Sequence, residues 1–135
     1  MKIAIVYFSG KNRAKMLDTA KGIAAGLSEQ GHTADLIDGI KDINAKLTMY
    51  EYIVVGTEAV TFWGGKIQRN VGEFLSSAGV VSGKKSCAYI IPRGVRLLKT
   101  LKKLMNTMEH EGMFLKNSQI VASYEEAEKL GRTLS

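Results

Sequence analysis

Ser9-Gly10-Lys11-Asn12-Arg13 is the stretch whose residue types can do the most chemistry. It joins an apolar run, Ile3-Ala4-Ile5-Val6-Tyr7-Phe8, to a segment whose spacing turns helical from about Ala14. A strand that ends in a Ser/Gly loop and opens a helix offers outward N–H groups, hydroxyls and the positive end of a helix dipole. Together these can hold an anion. Lys11 and Arg13 can add charge-assisted contacts or stay solvated, and the loop alone does not decide between a phosphate site and a non-binding turn. A second group follows the apolar run Tyr52-Ile53-Val54-Val55: Gly56-Thr57-Glu58, then Phe62-Trp63-Gly64-Gly65-Lys66. Its two rings stand beside glycines that permit close backbone approach, so they can face a flat ligand or cap the core. A third is Pro92-Arg93-Gly94-Val95, where Arg93 can meet a carboxylate or remain an exposed loop residue.

Other chemistries find little material. His32 falls at a turn and His110 near a helix end, with no third ligand at metal spacing, so no metal site is expected. Neither histidine can be placed with Ser9 in a nucleophilic triad, and no catalytic side chain is assigned. The glycine fingerprint of dinucleotide folds and the Gly/Lys phosphate loop of nucleotide triphosphatases are both absent. Glu125-Glu126 reads as the acidic first turn of a last helix, favourable to its dipole. The single cysteine, Cys87, excludes an intrachain disulfide and reads as a small core residue within a strand.

Alternating elements position these groups. Apolar runs at Ile3–Phe8, Ala34–Asp38, Tyr52–Gly56, Ser86–Ile91 and Ser118–Ser123 read as strands. Between them, Met16, Leu17, Ala20, Ile23, Ala24 and Leu27 recur at helical spacing, as do Val71, Phe74, Leu75 and Ala78. The clearest stripe is Leu97, Leu98, Leu101, Leu104, Met105 and Met108. Strands alternating with helices predict a doubly wound α/β domain, a parallel sheet covered on both faces, over residues 1–135.

Composition sets further bounds. With 45% hydrophobic and 24% charged residues the chain is ordinary for a water-soluble domain. Met1-Lys2 leads directly into the first strand and no apolar run nears the ~20 residues of a membrane helix, so a cytoplasmic protein without a leader is expected. The net charge is +6. Eight Lys/Arg residues lie between Lys84 and Lys116, with Arg96, Lys99 and Lys103 on one face of the Leu-rich helix. That face is either solvated or suited to an acidic partner; interleaved aromatics are missing, so nucleic acid is not expected.

The residues now in view resemble the flavodoxin-like family over nearly the whole length. Lys2–Phe8 with Ser9 is similar to its first strand and phosphate loop. Ile23-Ala24-Ala25-Gly26-Leu27-Ser28-Glu29-Gln30-Gly31-His32 resembles its first helix and turn. Tyr50–Thr57, Phe62–Ile67, Asn70–Leu75 and Tyr124–Gly131 resemble its third strand, aromatic loop, third helix and last helix. The resemblance implies a three-layer sandwich with five strands in order 2-1-3-4-5 and a ligand where the first and third strands diverge.

It also implies non-covalent FMN, with the phosphate held by Ser9, Gly10, Lys11, Asn12 and Arg13. The ring would be lined by Thr57, Phe62, Trp63 and Gly64, with Arg93 and Gly94 on its far side. Electrons would pass to or from a redox partner protein, the flavin supplying the chemistry. Against the family's Ser/Thr-x-Thr-Gly-x-Thr loop, this chain keeps Ser9 and has Ala14 at the last position. Glu58 stands where the family commonly has proline, and its carboxylate would repel a phosphate unless Lys66 or Arg13 neutralised it. No aromatic lies between Tyr89 and Phe114, so the ring would be covered on one face only or by a neighbouring subunit. Two alternatives stand beside the electron carrier: a domain that has lost FMN and serves as a binding or assembly module, and a small FMN-dependent oxidoreductase of oligomeric habit.

Overall fold

The computed structural model describes residues 1–58, 64–92 and 97–135, with the backbone alone over 64–69. The chain runs β1 (Lys2–Phe8), α1 (Arg13–Glu29), β2 (Thr33–Asp38), β3 (Tyr52–Glu58), α2 (Gly64–Ser76), β4 (Lys85–Ile91), α3 (Leu97–His110), β5 (Phe114–Ile120) and α4 (Tyr124–Thr133). The five strands are parallel in the order β2-β1-β3-β4-β5, as the resemblance implied.

Alternation along the central strands divides the core in two. Ala4, Val6 and Phe8 of β1 and Ile53 and Val55 of β3 pack with Val71, Phe74, Leu75, Leu104 and Met108 of α2 and α3. Ile3, Ile5, Tyr7, Tyr52, Val54, Cys87 and Tyr89 pack with Met16, Ile23, Leu27, Ala127 and Leu130 of α1 and α4. The central strands are covered on both faces, which is why they read as continuous apolar runs.

Two boundaries differ from the sequence reading. β3 continues through Thr57 and Glu58, beyond the apolar run Tyr52–Gly56. The last strand is Phe114–Ile120, four residues earlier than the run Ser118–Ser123. β5 is an edge strand, and half of it faces water, so polar residues such as Lys116 and Asn117 lie inside it where apolar content misses them. Ser123 has a different task. Its hydroxyl accepts from Glu126 N–H at 3.2 Å while Glu126 Oε2 accepts from Ala122 N–H at 2.5 Å, a reciprocal cap that starts α4.

The α1 layer is held close to α4 by glycines. A Cβ on Gly26 would run into the backbone of Glu128, and one on Gly131 into Ile23 O. Such an approach fixes α1, and with it the loop that opens α1 at the carboxyl edge of the sheet.

Candidate functional site

Loop 9–12 leaves β1 at the carboxyl end of the sheet and turns directly into α1. Asn12 caps the helix, its side-chain oxygen accepting from Lys15 N–H at 3.2 Å. Gly10, Lys11, Asn12 and Arg13 are exposed and Ser9 is half-buried. The loop therefore has the shape expected of an anion cradle: exposed polar backbone at the positive end of a 17-residue helix.

An anion supplied by the chain itself fills that cradle. Glu58 Oε1 accepts from Asn12 N–H at 2.6 Å, and Oε2 accepts from Gly10 N–H at 3.0 Å. Glu58 is only 1% exposed. Its position follows from the extended β3: Tyr52, Val54 and Gly56 face the α1 layer, and strand alternation carries Glu58 to the same side. A carboxylate this deep is tolerated because charge-assisted hydrogen bonds replace its water.

The loop's cation is also engaged. Arg13 Nη1 donates to Asp38 Oδ2 at 2.5 Å, a contact between a half-exposed guanidinium and a carboxylate that is almost fully buried. Asp38 Oδ1 accepts in turn from Ile40 N–H at 2.9 Å and Lys41 N–H at 3.2 Å, which fixes the exit from β2. Tyr7 lies beside this pair, and burial together with the charge of Asp38 pushes its phenol pKa up. Lys11 remains exposed.

The other expected site residues separate. Thr57 pairs with Phe8 across the ladder, and alternation turns its side chain away from Glu58, toward the α2/α3 face. Its hydroxyl is fully buried with no hydrogen-bond partner among the described residues. Gly64 is the first residue of α2. Phe62, Trp63, Arg93 and Gly94 lie outside the described residues. On the neighbouring face, loop 39–45 borders a depression of about 350 Å³ lined by Ile40, Ile43, Asn70, Glu73 and Phe74. Among the described residues no group of three or more His, Cys, Asp or Glu side chains is placed to hold a metal ion, and no helix is long and apolar enough to cross a membrane.

An FMN phosphate does not fit this arrangement. Its two natural backbone donors, Gly10 N–H and Asn12 N–H, are bonded to Glu58, and a second anion there would meet the carboxylate at contact distance. Sequence reasoning noted Glu58 as a repulsive charge but looked to Lys66 or Arg13 to offset it. The loop's own N–H groups bond it at Gly10 and Asn12 and Arg13 serves Asp38, while the Lys66 side chain lies outside the described residues. A usable signal was present: an acidic residue at the end of β3, in register with residues that face α1.

No protein-family model matches the chain, and no curated protein matches it in sequence. Solved structures do match it in shape. Flavodoxin 1 from Bacillus cereus superposes with a TM-score of 0.73 at 16% identity, covering 100% of both chains. A flavodoxin from the domain Archaea gives 0.70 at 19% identity, over 98% of this chain and 94% of that one. The Flv1 flavodiiron core from Synechocystis sp. PCC6803 gives 0.69 at 16% identity, over 98% of this chain but 34% of the other. With the strand order and the two helical layers, these likenesses establish that the chain has a flavodoxin-like fold.

Proposed function

We propose that this flavodoxin-like protein works as a macromolecular binding module without FMN anchored at its phosphate loop. The observation that carries this reading is the pair of hydrogen bonds from Gly10 and Asn12 to the buried Glu58 carboxylate. A cofactor phosphate would have to displace a tethered anion already seated on its donors. The surface that supports docking is α3, where Lys99, Lys102 and Lys103 are exposed while Leu101, Leu104 and Met108 are buried. Exposed Leu98 and Phe114 lie on α3 and the adjoining edge strand, giving apolar anchors among the lysines. A basic face with a few exposed apolar side chains suits an acidic protein partner.

A second reading is non-covalent FMN binding with electron transfer to a redox partner. It is favoured by the position of the loop where β1 and β3 diverge, and by the flavodoxins among the similar structures. Titration with FMN separates the two. Flavin absorbance, flavin fluorescence quenching and the emission of Trp63, the chain's only tryptophan, would be followed together. No saturable change at flavin concentrations up to about 100 μM, a weak-binding threshold of roughly 5.5 kcal/mol, supports the binding module. Saturation at micromolar or tighter concentration would overturn it and establish the flavin site.

A further inference from the structure

We infer that Glu58 is an intramolecular substitute for the phosphate that a loop of this shape holds, so that removing its carboxylate turns the loop into a site for free phosphate. The inference rests on the reading above that the loop holds no cofactor phosphate.

Three observations carry it. Both oxygens of one side chain receive backbone donors from residues on either side of Lys11, the way two oxygens of a phosphate would be held. The acceptor comes from the end of β3, not from within the loop, so the loop's conformation does not depend on its own side chain to supply the anion. Asn12 satisfies a separate donor, Lys15 N–H, and Arg13 is bound to Asp38, so loop and helix start keep their own supports when Glu58 is altered. Tethering explains why the internal anion prevails. A carboxylate fixed in β3 is present at the loop at an effective concentration that free phosphate reaches only in the millimolar range.

The test is chemical rescue of a Glu58→Ala variant by inorganic phosphate, read by thermal unfolding. Loss of the carboxylate leaves two donors at the positive end of α1 without that acceptor, and the variant's Tm should fall by about 5 °C or more. Sodium phosphate at about 20 mM should then restore half or more of the loss, while sodium chloride of equal ionic strength should not. Wild-type protein should show no such phosphate-specific gain. Glu58→Gln keeps the side chain's volume, so its amide still fills the site while setting an NH2 against one of the two donors, and it should gain clearly less from phosphate than Glu58→Ala.

A folded Glu58→Ala protein that gains no more from phosphate than from chloride, or no more than Glu58→Gln gains, would overturn the inference. So would an equal gain by the wild type. Failure of both variants to fold, with phosphate present as well as absent, counts against it too, because the ligand should then replace the missing acceptor. The outcomes remain separable from those of the proposed function. Saturable FMN binding by the wild type refutes the earlier reading, whereas absent rescue in variants of a protein that ignores FMN refutes this one alone.

Discussion

Lys84 turns its ammonium inward on three carbonyl oxygens, those of Leu47 at 2.7 Å, Thr48 at 2.5 Å and Tyr50 at 2.6 Å. The side chain thereby ties the segment before β3 to the residue before β4. Burial pulls its pKa down, while the three acceptors hold the charged form in place. It mirrors Glu58, since each side chain sits in a nest of backbone groups of opposite polarity. Counting charges along the chain could not reveal this. Lys84 entered the sequence reading as the first of eight basic residues in a basic stretch, and only the geometry removes it from the docking surface. Lys84→Met should therefore cost about 1.5–3 kcal/mol, the scale of hydrogen bonds to a charged group. Urea unfolding followed by circular dichroism would show it as a lowered midpoint at unchanged slope. Lys84→Arg should recover only part of the loss, because a planar guanidinium cannot direct its donors at three converging carbonyls. A midpoint within error of wild type in Lys84→Met would refute the role given to this contact.

Among the elements, the contact between α1 and α4 depends on glycine in a way that α2 does not. Gly26 and Gly131 bring the two backbones together, and an added Cβ at either would meet main-chain atoms that cannot move aside. At Gly72 in α2, the nearest atom to an added Cβ is Thr107 Cγ2 at 3.8 Å, an ordinary contact. The same substitution should thus have opposite signs at two helical sites. Gly26→Ala should destabilise by about 2–3 kcal/mol through overpacking. Gly72→Ala should stabilise by roughly 0.5–1 kcal/mol through reduced unfolded-chain freedom and better helix propensity. Thermal or urea unfolding of the two single variants checks both, and a shared sign would show the interpretation of the helix contact to be wrong. Sequence alone distinguishes neither glycine, since both sit within amphipathic helical text. Legibility differed among strands for a related reason. β1, β3 and β4 are buried on both faces and stand out by apolar content, whereas β5 at the edge carries Lys116, Asn117 and Gln119 and was placed four residues late. Glu58 was judged from the loop inward. Its role came from two additional residues of β3, which aim it at α1.

For the molecule as a whole, the legible part was the fold, because alternation of apolar runs and helical stripes reflects the two-layer core directly. What stayed hidden was how the polar groups pair across elements, and the same pairing governs response to alkali. Burial pushes the Cys87 thiol up to about 12 from an ordinary 9.0. Burial, with a 2.7 Å hydrogen bond to Asp35, raises Tyr50 to about 12 from 10.0. Tyr7 is raised as well, and burial pushes Tyr52 and Tyr89 further still. Each of these groups is neutral when protonated and keeps its proton longer in the folded chain than in the unfolded one. Above the unfolded pKa the unfolded state therefore binds fewer protons, and stability falls as pH rises. The loss should begin above pH 9.0, where unfolded cysteine ionises, steepen above 10.0 as tyrosines join, and continue toward about 12. Each group contributes a slope of up to about 1.4 kcal/mol per pH unit. Lys84 acts in the opposite sense, since a lowered lysine pKa makes the folded state release its proton first and gain stability as pH rises. One lysine against five acids leaves the sum negative. Urea midpoints measured from about pH 8 to pH 11 should stay level at first and then fall, and Cys87→Ala should delay the onset by about one pH unit, the gap between the ordinary thiol value of 9.0 and the ordinary phenol value of 10.0. A midpoint that holds level through about pH 10.5 would mean that these side chains meet water in the native state, contrary to their packing in the two core layers.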